Sequence, residues 1–196
     1  MLSPESVRAR KAELRTAALA RRDTLSAEAR QAAAETIAAR ALPVPVPPGT
    51  VVAGFSSIRS EINPVPLLRR FADAGAILAL PAIMGRGQPL RFRAFRFGEE
   101  LARGQWGIRE PKPEAPEVAP DILLVPLLAF DRSVNRVGYG AGYYDMTIAK
   151  LRALKSVTAV GIAFAAQEIA SVPVTPRDAR LDLVLTEREV IDLRGT

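Results

Sequence analysis

Apolar positions along this chain follow two different periods. Five short runs are apolar almost throughout: Thr50 to Phe55, Ala76 to Leu80, Asp121 to Leu127, Ser156 to Ala163 and Leu181 to Leu185. Runs of that length predict strands covered on both faces, the habit of a parallel sheet. A further run alternates, with Leu90, Phe92, Ala94 and Phe95 set against Arg91, Arg93 and Arg96. It predicts an exposed antiparallel strand with arginines on one face.

Between these runs the period is helical. Pro4 to Arg22 puts Val7, Leu14 and Ala18 on one face and sets Lys11 and Arg15 one turn apart, with Ser3 as the N-cap and Pro4 at the first position. Ser26 caps a second, alanine-rich helix that runs to Ala41, so the chain opens with a helical hairpin. Leu42 to Gly49 holds four prolines and predicts a stiff connector. Val65 to Ala74 is helical and closed by Gly75; Met146 to Leu154 is helical again. Trp106 to Pro120 reads as a Pro-rich loop and Thr186 to Asp192 as a short end. Strands that alternate with helices predict parallel pairing through right-handed crossovers. The expected fold is therefore α/β: one domain over residues 1–196, three layers (α/β/α), with a mostly parallel sheet and an N-terminal helical hairpin.

Composition narrows the chemistry. The chain has 196 residues, with no cysteine and no histidine. Disulfides, thiolate nucleophiles and zinc held by cysteine are excluded, and the usual general base is missing. A metal here would be hard and held by oxygen, with Mg²⁺ the first expectation. The formal charge is +6, from 27 basic and 21 acidic residues, and only Lys11, Lys112, Lys150 and Lys155 among the basic ones are lysines. Arginine suits bidentate contact with phosphate and carboxylate, yet the charge alone does not choose between nucleic acid and a small polyanion. No apolar run approaches the ~20 residues of a membrane span, and the N-terminus lacks an apolar signal core, so the expected location is the cytoplasm.

One stretch combines these hints. Gly138, Gly140 and Gly142 stand at alternate positions between the strand ending at Leu127 and the helix starting at Met146. Glycine-rich backbone leading into a helix N-terminus cradles anions, because its N–H groups and the helix dipole both favour negative charge. A tight strand-to-helix turn with no ligand fits the glycines equally well. Arg59 with Glu61, Gln167 with Glu168, and Arg177 with Asp178 lie in loops that could meet the glycines beyond the carboxyl ends of the strands. Asp145 and Asp178 could share Mg²⁺ with phosphate oxygens, or serve as an ordinary first-turn carboxylate and a turn residue. Lys11 and Arg15 could reach a triphosphate or form a solvated face. Tyr143, Tyr144 and Trp106 could stack on a flat ring or pack in the core. The glycines match neither the P-loop nor the dinucleotide fingerprint.

Longer motifs carry a resemblance. Gly138-Tyr139-Gly140-Ala141-Gly142-Tyr143-Tyr144-Asp145, preceded by Phe130-Asp131 and Asn135-Arg136, resembles the signature of the 5-formyltetrahydrofolate cyclo-ligases, also called methenyltetrahydrofolate synthetases. Further matches are Lys11-x-x-Leu14-Arg15 with Arg21-Arg22, Ser57-Ile58-Arg59-Ser60-Glu61-Ile62, Trp106-Gly107-Ile108-Arg109-Glu110-Pro111, and Gly161-Ile162-Ala163-Phe164 leading to Pro173-Val174 and Asp178.

The resemblance implies a ligase of one-carbon metabolism with a Rossmann-like fold. It would close 5-formyltetrahydrofolate, with or without a polyglutamate tail, to 5,10-methenyltetrahydrofolate, with ATP as co-substrate and Mg²⁺ as cofactor. It implies a monomer with no nucleic acid or membrane partner. Carried over by position, Lys11, Arg15 and the segment Arg136, Val137, Gly138, Tyr139, Gly140, Ala141, Gly142, Tyr143 and Tyr144 would bind ATP. Arg136, Tyr143 and Asp145 would be catalytic, and Asp145 and Asp178 would hold the metal. Ser56, Ile58, Glu61, Trp106 and Tyr143 would bind folate. Tyr139 stands where many family members carry a basic residue, and Arg177 where the family often has histidine. Two other readings remain at this point: a folate- or nucleic-acid-binding relative without catalysis, and a kinase for another small molecule.

Overall fold

The computed structural model describes residues 4–194, the side chains of Pro4 and Trp106 excepted. The Ser3 cap and the Trp106 ring therefore fall outside the described residues. The chain runs through α1 (Pro4–Asp23), α2 (Ala27–Ala39), β1 (Val51–Ala53), α3 (Val65–Asp73), β2 (Ile77–Ala82), β3 (Arg91–Ala94), β4 (Ala102–Arg103), β5 (Arg109–Glu110), β6 (Ile122–Pro126), β7 (Ala129–Phe130), β8 (Arg136–Val137), α4 (Tyr143–Leu154), β9 (Thr158–Ile162), β10 (Leu183–Leu185) and β11 (Val190–Asp192).

Seven strands form one sheet in the order β11-β10-β9-β6-β1-β2-β3. The five inner strands are parallel, and the two edge strands, β3 and β11, are antiparallel to their neighbours. The apolar runs explain this. Alternate residues of each inner strand face opposite layers: Val52, Leu80, Leu124, Ile162 and Leu185 join the core under α2 and α3. Ala53, Ala79, Leu123, Ala159 and Val184 join the core under α4. Both faces are dry, so continuous apolar strands are needed, as the sequence predicts. On edge strand β3, Arg91 is exposed and Phe92 is buried, again as the alternation predicts.

The two N-terminal helices part company after their turn. Ser26 caps α2 by accepting from the Ala29 N–H at 3.1 Å, and α2 packs on α3. α1 instead packs on the β7–β8 hairpin and on the 3₁₀ turn Ala165–Gln167. The sequence pattern shows neither this hairpin nor the short β4–β5 pair around the Pro-rich loop. Strands of two residues are too short to carry a period. α4 begins at Tyr143 rather than Met146, which puts Tyr143, Tyr144 and Asp145 in its first turn. Among the described residues, no helix is long and apolar enough to cross a membrane.

The strand order reverses beside β1: the chain goes outward through β2 and β3, then returns to place β6 on the other side. The crevice beyond the carboxyl ends of β1 and β6 is thus the place where such a sheet binds ligands.

Candidate active site

Three cations on α1 face this crevice. Lys11, Arg15 and Arg22 lie on one stripe, because eleven residues make close to three full turns. Ala18, on the same stripe, is buried against Leu128, Ala129, Val137 and Val172, and this contact pins the stripe to the hairpin. Lys11 Nζ donates to Asp178 Oδ1 at 2.5 Å. Arg15 Nε donates to the Gly138 carbonyl at 2.9 Å. Arg22, 1% exposed, donates from Nε to Ser60 Oγ at 3.0 Å and from its terminal nitrogen to the Tyr139 hydroxyl at 2.7 Å.

The glycine loop is delivered by a buried turn. Asp131 Oδ1 accepts from the N–H groups of Ser133 and Asn135, both at 3.0 Å, and Oδ2 accepts from Val172 N–H at 2.9 Å. The turn returns the chain as β8 with Arg136 buried. Arg136 donates to the Ala179 carbonyl at 2.6 Å and to Asp145 Oδ1 at 2.9 Å. Asp145 Oδ1 also accepts from Ala179 N–H at 3.0 Å. Arg136 and Asp145 therefore tie the start of α4 to the segment that carries Asp178. At Gly142, φ is +73° and no side chain caps the helix, so the first turn of α4 opens onto the loop. At Gly140, φ is +101° and a Cβ would come within 3.1 Å of the Arg15 guanidinium. Backbone there lies against a cation, and any side chain would intrude.

Both carboxylates of this half are engaged. Burial pushes the Asp178 carboxyl up, but its bond with Lys11 and the bonds from the Thr175 N–H and hydroxyl, at 2.6 and 2.9 Å, outweigh that and hold it below the usual range. Gln167 and Glu168 turn out to be structural. Gln167 Nε2 donates to the carbonyls of Leu127 and Leu128, and Glu168 pairs with Arg132.

The other half is an apolar cavity of about 560 Å³, open to the surface. Phe55, Leu68, Leu80 and Phe95 line it, with Ser56 and Ile58 on one wall and Arg96 and Arg109 at its lining. Ser56 Oγ donates to the Arg109 carbonyl at 2.7 Å, joining the loop after β1 to the loop that carries Trp106. Glu61 stands between the two halves. It is buried, its Oε2 accepts from Ile58 N–H at 2.9 Å, and its carboxyl is raised above the usual range by burial. Tyr143 is half-buried and packs on the core under α4. Gly107 and Ile108, beside Trp106, also line the cavity.

A model of the 5-formyltetrahydrofolate cyclo-ligase family matches residues 7–187. The chain belongs to this family, whose members are ligases. A 5-formyltetrahydrofolate cyclo-ligase of Mycolicibacterium smegmatis is 32% identical, over 98% of this chain and all of the relative. One from Escherichia coli K12 is 32% identical over 87% of this chain and 96% of its own length. A solved structure of the Aquifex aeolicus 5,10-methenyltetrahydrofolate synthetase superposes with a TM-score of 0.78 at 30% identity, covering 95% of this chain and 94% of that one. A Mycoplasma pneumoniae synthetase shares the fold, with a TM-score of 0.72 at 21% identity.

The Mg²⁺ expected for a cyclo-ligase fits this donor set. Among the described residues, no three acidic side chains converge; Asp145 is bonded to the Ala179 N–H, one residue beyond Asp178. Asp145 Oδ2 has no hydrogen bond among the described residues. Two hard oxygen ligands suit Mg²⁺, which keeps water and phosphate oxygens for its other positions. Three participants escaped the sequence reading as site residues: Arg22, Ser60 and Thr175. Arg22 carried a signal, the helical spacing from Lys11. Ser60 carried only its place in the Ser57 to Ile62 motif, since tertiary contact alone brings it to Arg22, whereas Thr175 carried a local signal, its spacing of three residues from Asp178.

Proposed function

We propose that this protein closes 5-formyltetrahydrofolate to 5,10-methenyltetrahydrofolate, consuming ATP with Mg²⁺ and releasing ADP and phosphate. The observation that carries the reading is the crevice itself. A glycine cradle flanked by Lys11 and Arg15 adjoins an apolar cavity walled by Ser56 and Ile58, with Glu61 between them. That pairing suits a triphosphate set against a flat, apolar-bodied acceptor.

In the proposed reaction the formyl oxygen attacks the γ-phosphorus, and ADP leaves. N10 then attacks the formyl carbon and gives up its proton, and the C–O bond breaks with phosphate as the leaving group. Such transfer depends on in-line positioning and charge neutralisation more than on a strong base, so a chain without histidine can run it. Bound Mg²⁺, held by Asp145 and Asp178, would neutralise phosphate charge. Lys11 and Arg15 bind phosphates, and backbone N–H groups from Val137 to Tyr144 line the cradle. Arg136 keeps Asp145 directed at the site. Glu61 accepts from the pterin, while Ser56, Ile58, Trp106 and Tyr143 bound the folate. The glutamate tail leaves past Arg96 and Arg109.

Partnering of the arginines on β3 weakens the nucleic-acid reading. Arg91 pairs with Glu117 at 3.3 Å, and Arg93 donates to the Pro111 carbonyl at 3.3 Å.

The test is growth of methenyl-folate absorbance from 5-formyltetrahydrofolate that requires both ATP and Mg²⁺. Folded protein that gives no signal would sink the reading. Asp145→Asn keeps an oxygen for the bonds from Arg136 and Ala179 but loses its charge, so turnover should fall by about 10²-fold or more while the circular dichroism spectrum is kept. Near-normal turnover would remove Asp145 from the metal site.

A further inference from the structure

Tyr139 is the one large side chain among Gly138, Gly140, Ala141 and Gly142, and it does not point idly to solvent. It is 40% exposed, so bound ligand can reach it, while its hydroxyl accepts from Arg22 at 2.7 Å. The Arg22 charge also lies 5.9 Å from the Tyr139 ring centre. Arg22 is nearly sealed from solvent, and its two partners, Ser60 Oγ and the Tyr139 hydroxyl, are neutral oxygens. A guanidinium at that depth normally meets a negative charge. Ser60 directly precedes Glu61, so Arg22 ties the Tyr139 hydroxyl to the turn that carries the Glu61 carboxylate, whose charged form it favours. The phenol oxygen accepts from Arg22, so its own proton is available to a carboxylate acceptor.

We propose that Tyr139 is a positioning residue for folate: held by Arg22, its hydroxyl directs the Glu61 carboxylate, so that the phosphate loop and the pterin-binding carboxylate are set as one unit. The inference rests on the reading of Glu61 as the pterin acceptor. It explains why this loop tolerates a phenol where a cation would contact phosphate. Arg15, from α1, already supplies a cation against the loop.

The groups acting on Glu61 come from three elements. Arg22 comes from α1, Tyr139 from the loop, and Tyr144 from α4; Asp23 lies one bond further off, accepting from the Ser60 hydroxyl. Burial raises the Glu61 carboxyl, and the Ile58 N–H, the Arg22 charge and the Tyr139 hydroxyl pull it back. Removing the hydroxyl therefore leaves Glu61 protonated to a higher pH.

Tyr139→Phe tests this, because the ring over Arg22 and the loop backbone remain. The Michaelis constant for the folate should rise about tenfold while that for ATP stays within about twofold, and the acid limb of kcat/KM for the folate should move to higher pH. A strut that only stiffened the loop would raise both constants together and leave the limb in place; either that result or an unchanged pair overturns the proposal. A second measurement needs no turnover. In protein labelled with ¹³C at the glutamate carboxyl, the Glu61 titration midpoint should be higher in Tyr139→Phe than in the parent. An unmoved midpoint overturns the coupling even if the parent proves active. A moved midpoint in a parent with no cyclo-ligase activity supports the coupling and faults only the functional reading.

Discussion

The two halves of the crevice are built on opposite principles. In the half around the glycine loop, charges meet charges or backbone dipoles. Lys11 meets Asp178, Arg136 meets Asp145 and a carbonyl, and Arg15 meets a carbonyl. In the cavity half, Phe55, Leu68, Leu80 and Phe95 leave about 560 Å³ unfilled. The first half is therefore neutralised within the protein, and on the proposed function a triphosphate with its metal would replace internal partners rather than find bare charges. That limits the net gain per contact, since each new ion pair substitutes for an old one. The second half has no such competitor. Apolar surface around a preformed cavity gains directly when a flat ligand covers it. On the proposed function, recognition of position would fall to the charged half and much of the ligand's hydrophobic binding to the cavity.

Two substitutions separate the halves. Gly140→Ala should do the greater damage. Its φ of +101° is strained for alanine, and the new Cβ would meet Arg15 at 3.1 Å. The expected result is a rise of about tenfold or more in the ATP constant, with a stability loss of about 1–2 kcal/mol, and little change in folate binding. Steady-state kinetics with each substrate varied, beside thermal melts, would read both; an unchanged ATP constant would mean the loop does not approach phosphate. Ile58→Trp acts on the other side. Ile58 lines the cavity, and a bulkier ring there should raise the folate constant about five- to tenfold, leaving the ATP constant within about twofold. Equal shifts in both constants would show that the halves are not independent.

Legibility in the sequence follows the same division. Sheet strands, both outer layers and the antiparallel edge could be read because burial on two faces leaves long apolar runs, and a run such as Ile122 to Leu128 admits few other solutions. The glycine loop was legible as a candidate because three glycines are costly without a reason. Position beyond the strand ends raised Asp145 and Asp178 as a pair beside the plainer turn readings, and the family motif chose between them. Their setting was hidden: nothing local says that Asp178 bonds Lys11, 167 residues away, or that Asp145 bonds the Ala179 N–H. The β7–β8 hairpin was missed because its order comes from the Asp131 side chain rather than from a strand pattern. Gln167 looked like a ligand-facing residue by position, yet it serves two carbonyls of the strand end.

The smallest expected effect lies at the other end of the sheet, where a charge pair has no ligand to answer to. Asp121 Oδ2 accepts from Val51 N–H at 2.8 Å and Oδ1 from Lys155 Nζ at 2.5 Å, just before β1 and β6 begin their parallel pairing. Burial pushes the Asp121 carboxyl up, but Lys155 and the Val51 N–H together bring it below its ordinary value. A carboxyl depressed in the folded state adds stability above its unfolded pKa, and that contribution is lost as pH falls through the folded value. The pair is partly exposed, so screening keeps its worth to about 0.5–1 kcal/mol, or a melting shift of about 1–4 °C. Asp121→Asn should therefore melt lower than the parent at neutral pH, and the two melting curves should converge as pH drops below about 4. Both Michaelis constants should stay at parent values, because Asp121 lies at the amino ends of the strands, away from the crevice. A gap that persists at low pH would mean that the Val51 hydrogen bond, which asparagine can keep, and not the Lys155 charge, is what the substitution disturbs.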